Sequence, residues 1–197
     1  MVATLGTIEH DVQPMVPLVE ETAEPTTNIG IPGLWLIKAH DVDRLTRTLK
    51  EAWRVTELWD DEARANPGLW FMMHYTHPYN LLFDVENGAG MVAFIRTIPG
   101  WRCHVYAAAW RRRAMGRDDL FATACRIAMQ AHDLLVIDSF VRLENRRSQK
   151  ATLRNGFKNR GIVPGAQCYN GVMIPLYWNE LDRATLDRDP PAIPGAS

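Results

Sequence analysis

Four ionisable residues in the middle of this 197-residue chain stand where a proton could be moved: Glu86, His104, Asp138 and Glu144. Each falls on or beside a run with strand character, so each can project from a rigid element. His104 has the intrinsic pKa best matched to accepting a proton near neutrality; a strand histidine satisfied by its own neighbours is the plainer alternative. Asp138 interrupts an apolar run and, if buried, must find donors, an arginine first among them. Glu144 can equally be a solvated turn residue. Tyr106 and Tyr169 add phenols able to return a proton. Cys103 and Cys125 fall within a strand-like and a helix-like run, which argues against a nucleophilic thiol. His74 and His77 lack a third ligand, and the three cysteines show no C-x-x-C spacing, so no metal is expected.

Composition sets the frame for that chemistry. Apolar residues make up 47% and charged residues 23%, the balance of a packed globular domain. A formal charge of -1 gives no electrostatic case for nucleic acid. No run approaches 18 apolar residues, and the first ten residues lack the pattern of a secretory leader. With the scattered cysteines, this makes the cytoplasm the expected compartment.

The elements that must hold these residues follow from periodicity. Residues 1–32, punctuated by Pro14, Pro17, Pro25 and Pro32, read as an extended arm or as one short helix over residues 9–21. Such an arm can lie on the domain or on a partner, a second copy of the chain included, and seven tryptophans offer core filling or contact surface. Residues 34–39 read as a strand. Asp41 is placed to cap a helix whose apolar positions run from Val42 to Trp53, and a second helix is expected over residues 57–65. Residues 69–75 fit strand or helix equally.

Three strands then form an antiparallel meander over residues 80–86, 91–97 and 101–109. Asn87-Gly88 makes the first turn, because both positions tolerate positive φ, and Pro99-Gly100 makes the second. An arginine-rich loop, residues 110–117, leads into a helix capped by Asp118 or Asp119. A strand over residues 134–141 follows, so strand, helix and strand imply a right-handed parallel crossover. A helix over residues 146–154 ends at Asn155-Gly156, and a last strand covers residues 172–178. The expected domain is 33–180, with 181–197 as a flexible tail.

Two stretches resemble the GNAT superfamily of N-acetyltransferases. After the strand ending at Val141, Asn145 is followed by Ser148, with Gly156-Phe157 eleven and twelve positions beyond the Asn. The Asn can fix the turn out of the strand, the small residue lets a helix approach the sheet, and Gly permits a left-handed cap. The second stretch is Arg113-Ala-Met-Gly116-Arg117-Asp118, similar to the family's Arg/Gln-x-x-Gly-x-Gly/Ala loop. There, backbone amides at a helix start hold the coenzyme A pyrophosphate. The resemblance covers about residues 34–180 and implies an α/β fold with a mixed sheet. In that fold an antiparallel meander is followed by a parallel β-α-β crossover.

The resemblance implies acetyl-CoA as acyl donor and an amine as acceptor. It assigns the coenzyme to Ala108, Arg113, Gly116, Arg117 and Asn145, with two central strands parting near Ala108. Proton transfer would fall to His104, Glu144 and Tyr106. Two positions depart from the family. Asp118 puts a carboxylate where Gly or Ala is usual, and like charges about 4 Å apart repel by about 4 kcal/mol at an effective dielectric near 20. The family's acidic Tyr, four residues before the Gly, is here Thr152. The stretch from His77-Pro-Tyr-Asn80 to Trp110-Arg-Arg-Arg also looks similar to acetyltransferase-like proteins of tailed bacteriophages. That likeness implies a second reading: a non-catalytic component of a phage particle, bound to virion proteins or to itself.

Overall fold

The computed structural model describes residues 27–38, 41–54, 60–66, 77–114 and 116–188. Among these residues eight strands form one sheet, in the spatial order β1-β2-β3-β4-β5-β6-β8-β7. Along the chain these are β1 (Thr27–Asn28), β2 (Leu34–Ile37), β3 (Leu81–Val85), β4 (Gly90–Ile98), β5 (Arg102–Ala109), β6 (Val136–Arg142), β7 (Lys158–Tyr169) and β8 (Val172–Asp182). The helices among the described residues are α1 (Val42–Trp53), α2 (Asp61–Ala65), α3 (Asp118–Ala131), α4 (Arg146–Arg154) and α5 (Arg183–Arg188). Every neighbouring pair is antiparallel except β5 and β6. That one parallel contact is the crossover expected from the order strand, helix, strand.

The central strands are buried on both faces, so two apolar layers form. Val92 and Phe94 of β4 pack with Phe83, Val105 and the Leu120–Ala124–Ala128 stripe of α3. Met91, Ala93 and Ile95 face the other way, against Leu45 and Ala52 of α1 and Ala63 of α2. The α1 cap is as expected: the Asp41 carboxylate accepts from the Arg44 amide at 3.1 Å. In the β3–β4 turn Glu86, Asn87 and Gly88 all take positive φ, and the buried Asp84 carboxylate accepts from the Gly88 amide at 2.6 Å.

Several boundaries differ from the sequence reading. The sheet begins at Thr27, inside the stretch assigned to an arm, and Ile29 and Ile31 pack on the core. At the other end β8 runs to Asp182, and α5 buries Leu186, so the fold extends past residue 180. The arm proper, the short helix over 9–21, the 69–75 stretch and His74 lie outside the described residues, as does most of the tail. β7 went unread. Its pairing with β8 shifts register between Asn159 and Gly161 and again between Val163 and Gln167, which breaks the alternation a strand would show. Neither Asp118 nor Asp119 caps α3. Arg117 occupies the cap position without a side-chain capping bond, and both aspartates sit in the first helical turn.

Candidate functional site

The parallel contact between β5 and β6 lasts three rungs: Arg102 with Val136, Cys103 with Ile137, His104 with Asp138. Beyond them β5 stays with β4 as far as Ala109, and β6 stays with β8 as far as Arg142. Each strand follows its antiparallel partner, so the two part. The parted edges leave backbone amides and carbonyls turned into a gap. The gap opens into a cavity of about 790 Å³ lined from both faces of the sheet. Gly116, Asp118, Ser148 and Thr152 line it on the α3–α4 side; Asp60, Arg96, His104 and Tyr106 line it on the α1–α2 side.

On the α3–α4 side, Gly116 takes φ +83°, and a Cβ built there would meet nothing within 4 Å. The turn therefore needs glycine and has open space beside it. The first turn of α3 has amides that no helix carbonyl takes up, and the Asp119 carboxylate draws those of Asp119 and Leu120 to itself. Arg117 pairs with Glu86 and donates to both Asp119 oxygens, at 3.0 and 2.9 Å. Asp118 accepts from Arg154 Nε at 2.9 Å, tying the start of α3 to the end of α4. Behind them Phe121 stacks on Phe157, ring centroids 5.9 Å apart, so the two motif-bearing segments are adjacent. Asn145 caps α4 by accepting from the Ser148 amide at 3.0 Å, and Thr152 donates its hydroxyl to the Ser148 carbonyl at 2.9 Å.

On the α1–α2 side, alternate residues of β5 bring His104, Tyr106 and Ala108 to one face. The His104 ring lies 5.4 Å from that of Phe140. Burial pulls its pKa below the ordinary value; Asp138 opposes that, while Arg96 and Arg102 add to it. Burial pushes the Tyr106 phenol the other way, upward, so it keeps its proton. Near neutrality the face thus offers a neutral imidazole and a protonated phenol. Asp60 caps α2 through the Ala63 amide at 2.8 Å. Asp61 accepts from the Asn170 and Gly171 amides at 2.8 and 2.7 Å, fastening the β7–β8 turn to α2.

The structure thus brings His104, Tyr106, Ala108, Gly116, Arg117 and Asn145 to one cavity. Of the other sequence candidates, Glu86, Arg113, Asp138, Glu144 and Tyr169 are not among its lining residues. Glu144 is exposed in the turn after β6. Arg113 donates to the Asn87 carbonyl at 2.7 Å and anchors its loop to the β3–β4 turn. Sequence reasoning did not find Asp60, Arg96, Arg142 or Gln167. A bulge opposite Cys103 puts Arg96 at φ +52° and into the cavity wall. Arg142, nearly buried, donates to Gln167 at 3.1 Å and lies 3.7 Å from the Tyr169 ring centroid. Only Asp60 carried a signal, an Asp three residues ahead of a small residue at a helix start.

No family model matches the chain, and no curated protein does. Solved structures do. The ribosomal-protein-S5-alanine acetyltransferase of Vibrio fischeri aligns with 81% of this chain and 97% of its own, at 14% identity and TM-score 0.59. The spermidine N-acetyltransferase of Vibrio cholerae, in complex with CoA and spermine, aligns with 78% of this chain and 97% of its own. Its identity is 16% and its TM-score 0.60. A structure described as a probable acetyltransferase matches at 15% identity and TM-score 0.58, covering 81% and 97%. The fold is that of the GNAT acetyltransferases. None of these matches bears on the likeness to phage proteins. In the GNAT frame, the strand gap and the α3 start are the features the sequence motifs had marked, and no helix among the described residues is long and apolar enough to cross a membrane.

Proposed function

We propose that this protein binds an acyl-coenzyme A and transfers the acyl group to an amine. The observation that carries this reading is the parting of β5 and β6 into a cavity that joins the two faces of the sheet. The donor enters beside Gly116 and the acceptor beside His104. Coenzyme A fits the residues present. Gly116 leaves space for a diphosphate at the amides of α3, Arg117 and Arg154 stand at the same mouth, and the free edge of β5 can bond an extended amide chain. Asp118, the misfit, is paired with Arg154 rather than left open to a phosphate.

When bound, acyl-CoA supplies the activated acyl carbon. A C–N bond forms and a C–S bond breaks; the amine loses a proton and the thiolate gains one. His104, neutral because it is buried, accepts the first proton. Tyr106, kept protonated by burial, supplies the second. The neighbour of known complex binds spermine, so spermine, spermidine and an alanine-ended peptide are the first acceptors to assay.

Thermal melting with acetyl-CoA tests the binding half. A ligand at about 100 times its Kd adds roughly 2.7 kcal/mol, a rise of several degrees. An unchanged Tm at millimolar coenzyme would remove the donor from the reading. Release of free thiol in the presence of the amine panel tests the transfer half.

A further inference from the structure

His104 and Asp138 form the last rung before β5 and β6 separate, so they stand side by side at the apex of the gap. Residues directly opposite in a ladder project to the same face, from strands about 4.8 Å apart. Asp138 is 1% exposed, on a strand whose neighbouring residues Ile137 and Ser139 are buried as well. Its Oδ1 accepts from the Trp178 indole at 3.0 Å. Its Oδ2 lies 3.4 Å from Arg102 Nε but has no hydrogen-bonded partner. Arg102 is itself shared with Glu180, 3.4 Å from its Nη2, and Glu180 also holds Arg160 at 2.6 Å. A buried carboxylate oxygen is thus left without a donor beside a cavity-lining imidazole.

We propose that Asp138 is the positioning residue for His104, its carboxylate at the apex of the strand gap stabilising the imidazolium formed when His104 takes the amine proton. This deepens the acyl-transfer reading and rests on it for its purpose, although the coupling is measurable without turnover. The charged and titratable groups facing His104 are Arg96 from β4, Arg102 and Tyr106 from β5, Asp138 from β6, Asp60 at the start of α2 on the same cavity wall and, through Arg102, Glu180 from β8. Asp138 is the anion nearest in register, and the arginines oppose it. Trp178 fixes the carboxylate by one oxygen, so the other can turn toward the imidazole when it becomes charged. A base raised only by bulk water would need no such neighbour; a base half-buried against Phe140 does.

The test is a proton NMR titration of the His104 ring, assigned by the loss of its signal in His104→Gln. In Asp138→Asn the amide still accepts from Trp178, but the negative charge is gone. The His104 midpoint should then fall by about one pH unit, a roughly tenfold loss of proton affinity. In the parent protein the Asp138 carboxyl carbon should show an inflection at the His104 midpoint that disappears in His104→Gln; this reading needs no substitution at Asp138. In the transfer assay the rise of kcat/KM with pH should move to lower pH in Asp138→Asn while the plateau falls. A purely structural role would lower the rate without moving the limb. A His104 midpoint unchanged in Asp138→Asn, or a carboxyl carbon blind to His104, overturns the proposal. A shifted midpoint in a protein that transfers nothing to any acceptor leaves the coupling standing and overturns the acyl-transfer reading instead.

Discussion

Thr152 carries a hydroxyl that α4 has already claimed, donated to the carbonyl one turn back. An alcohol so engaged, with a pKa far above any thiol, cannot return a proton to sulfur. Tyr106 can, because burial keeps its phenol protonated at the cavity wall. Tyr106→Phe should therefore lower kcat by about 100-fold or more, while Thr152→Val stays within about threefold, in steady-state thiol release. His104 also leaves a mark on stability. Its folded pKa lies below the ordinary 6.5, so the unfolded chain binds more protons as pH falls through that value. The parent should lose stability from about pH 6.5 downward, and His104→Gln should flatten that slope in urea titrations run between pH 5 and 8. That His104 lies on a central strand was legible in the sequence, and the structure puts it on the cavity wall. The direction of Arg96 was not legible, because it comes from a one-residue bulge, and no side-chain pattern announces a backbone irregularity.

At the scale of elements the two departures from the family pattern have different weights. Asp118 was read as a helix cap, but its carboxylate reaches across to Arg154 and binds the start of α3 to the end of α4. That pair stands at the mouth where the diphosphate would sit, and each side chain is more than a third exposed. Solvent screens so exposed a pair, so breaking it costs the fold little. Asp118→Ala should free Arg154 for phosphate and remove a like charge, tightening CoA about three- to tenfold by calorimetry, with Tm changed by only a few degrees. Weaker binding in that variant would show instead that the pair shapes the site. The meander, α3, β6 and α4 were legible because their apolar patterns run nearly unbroken, the β4 bulge apart, and because the meander turns and the α4 cap stand in the sequence. β7 was not: Gly161, Pro164 and Gly165 interrupt its alternation, and its strand state comes from pairing with β8 through two register shifts. Long-range pairing overrides local pattern there.

The whole sheet behaves as two antiparallel units joined by three parallel rungs, β1 to β5 on one side and β6 to β8 on the other. Sequence periodicity could place the crossover but not its length, since the point of separation depends on which partner each strand prefers past His104. The gap is therefore a property of the assembled sheet. A donor bridging it would bond to both halves at once, and the consequence is measurable along the backbone. In residues 105–109 of β5 every second amide bonds to β4 and the others face the gap; residues 139–142 of β6 divide likewise between β8 and the gap. In hydrogen–deuterium exchange with saturating acetyl-CoA, the gap-facing amides of residues 105–109 and the amides at 116–120 should slow at least tenfold. Those in β7, remote from the bridge, should change little. Protection confined to β7 and β8 would place the ligand on the outer hairpin, and the gap would then be only a seam between two sheet halves with no part in binding.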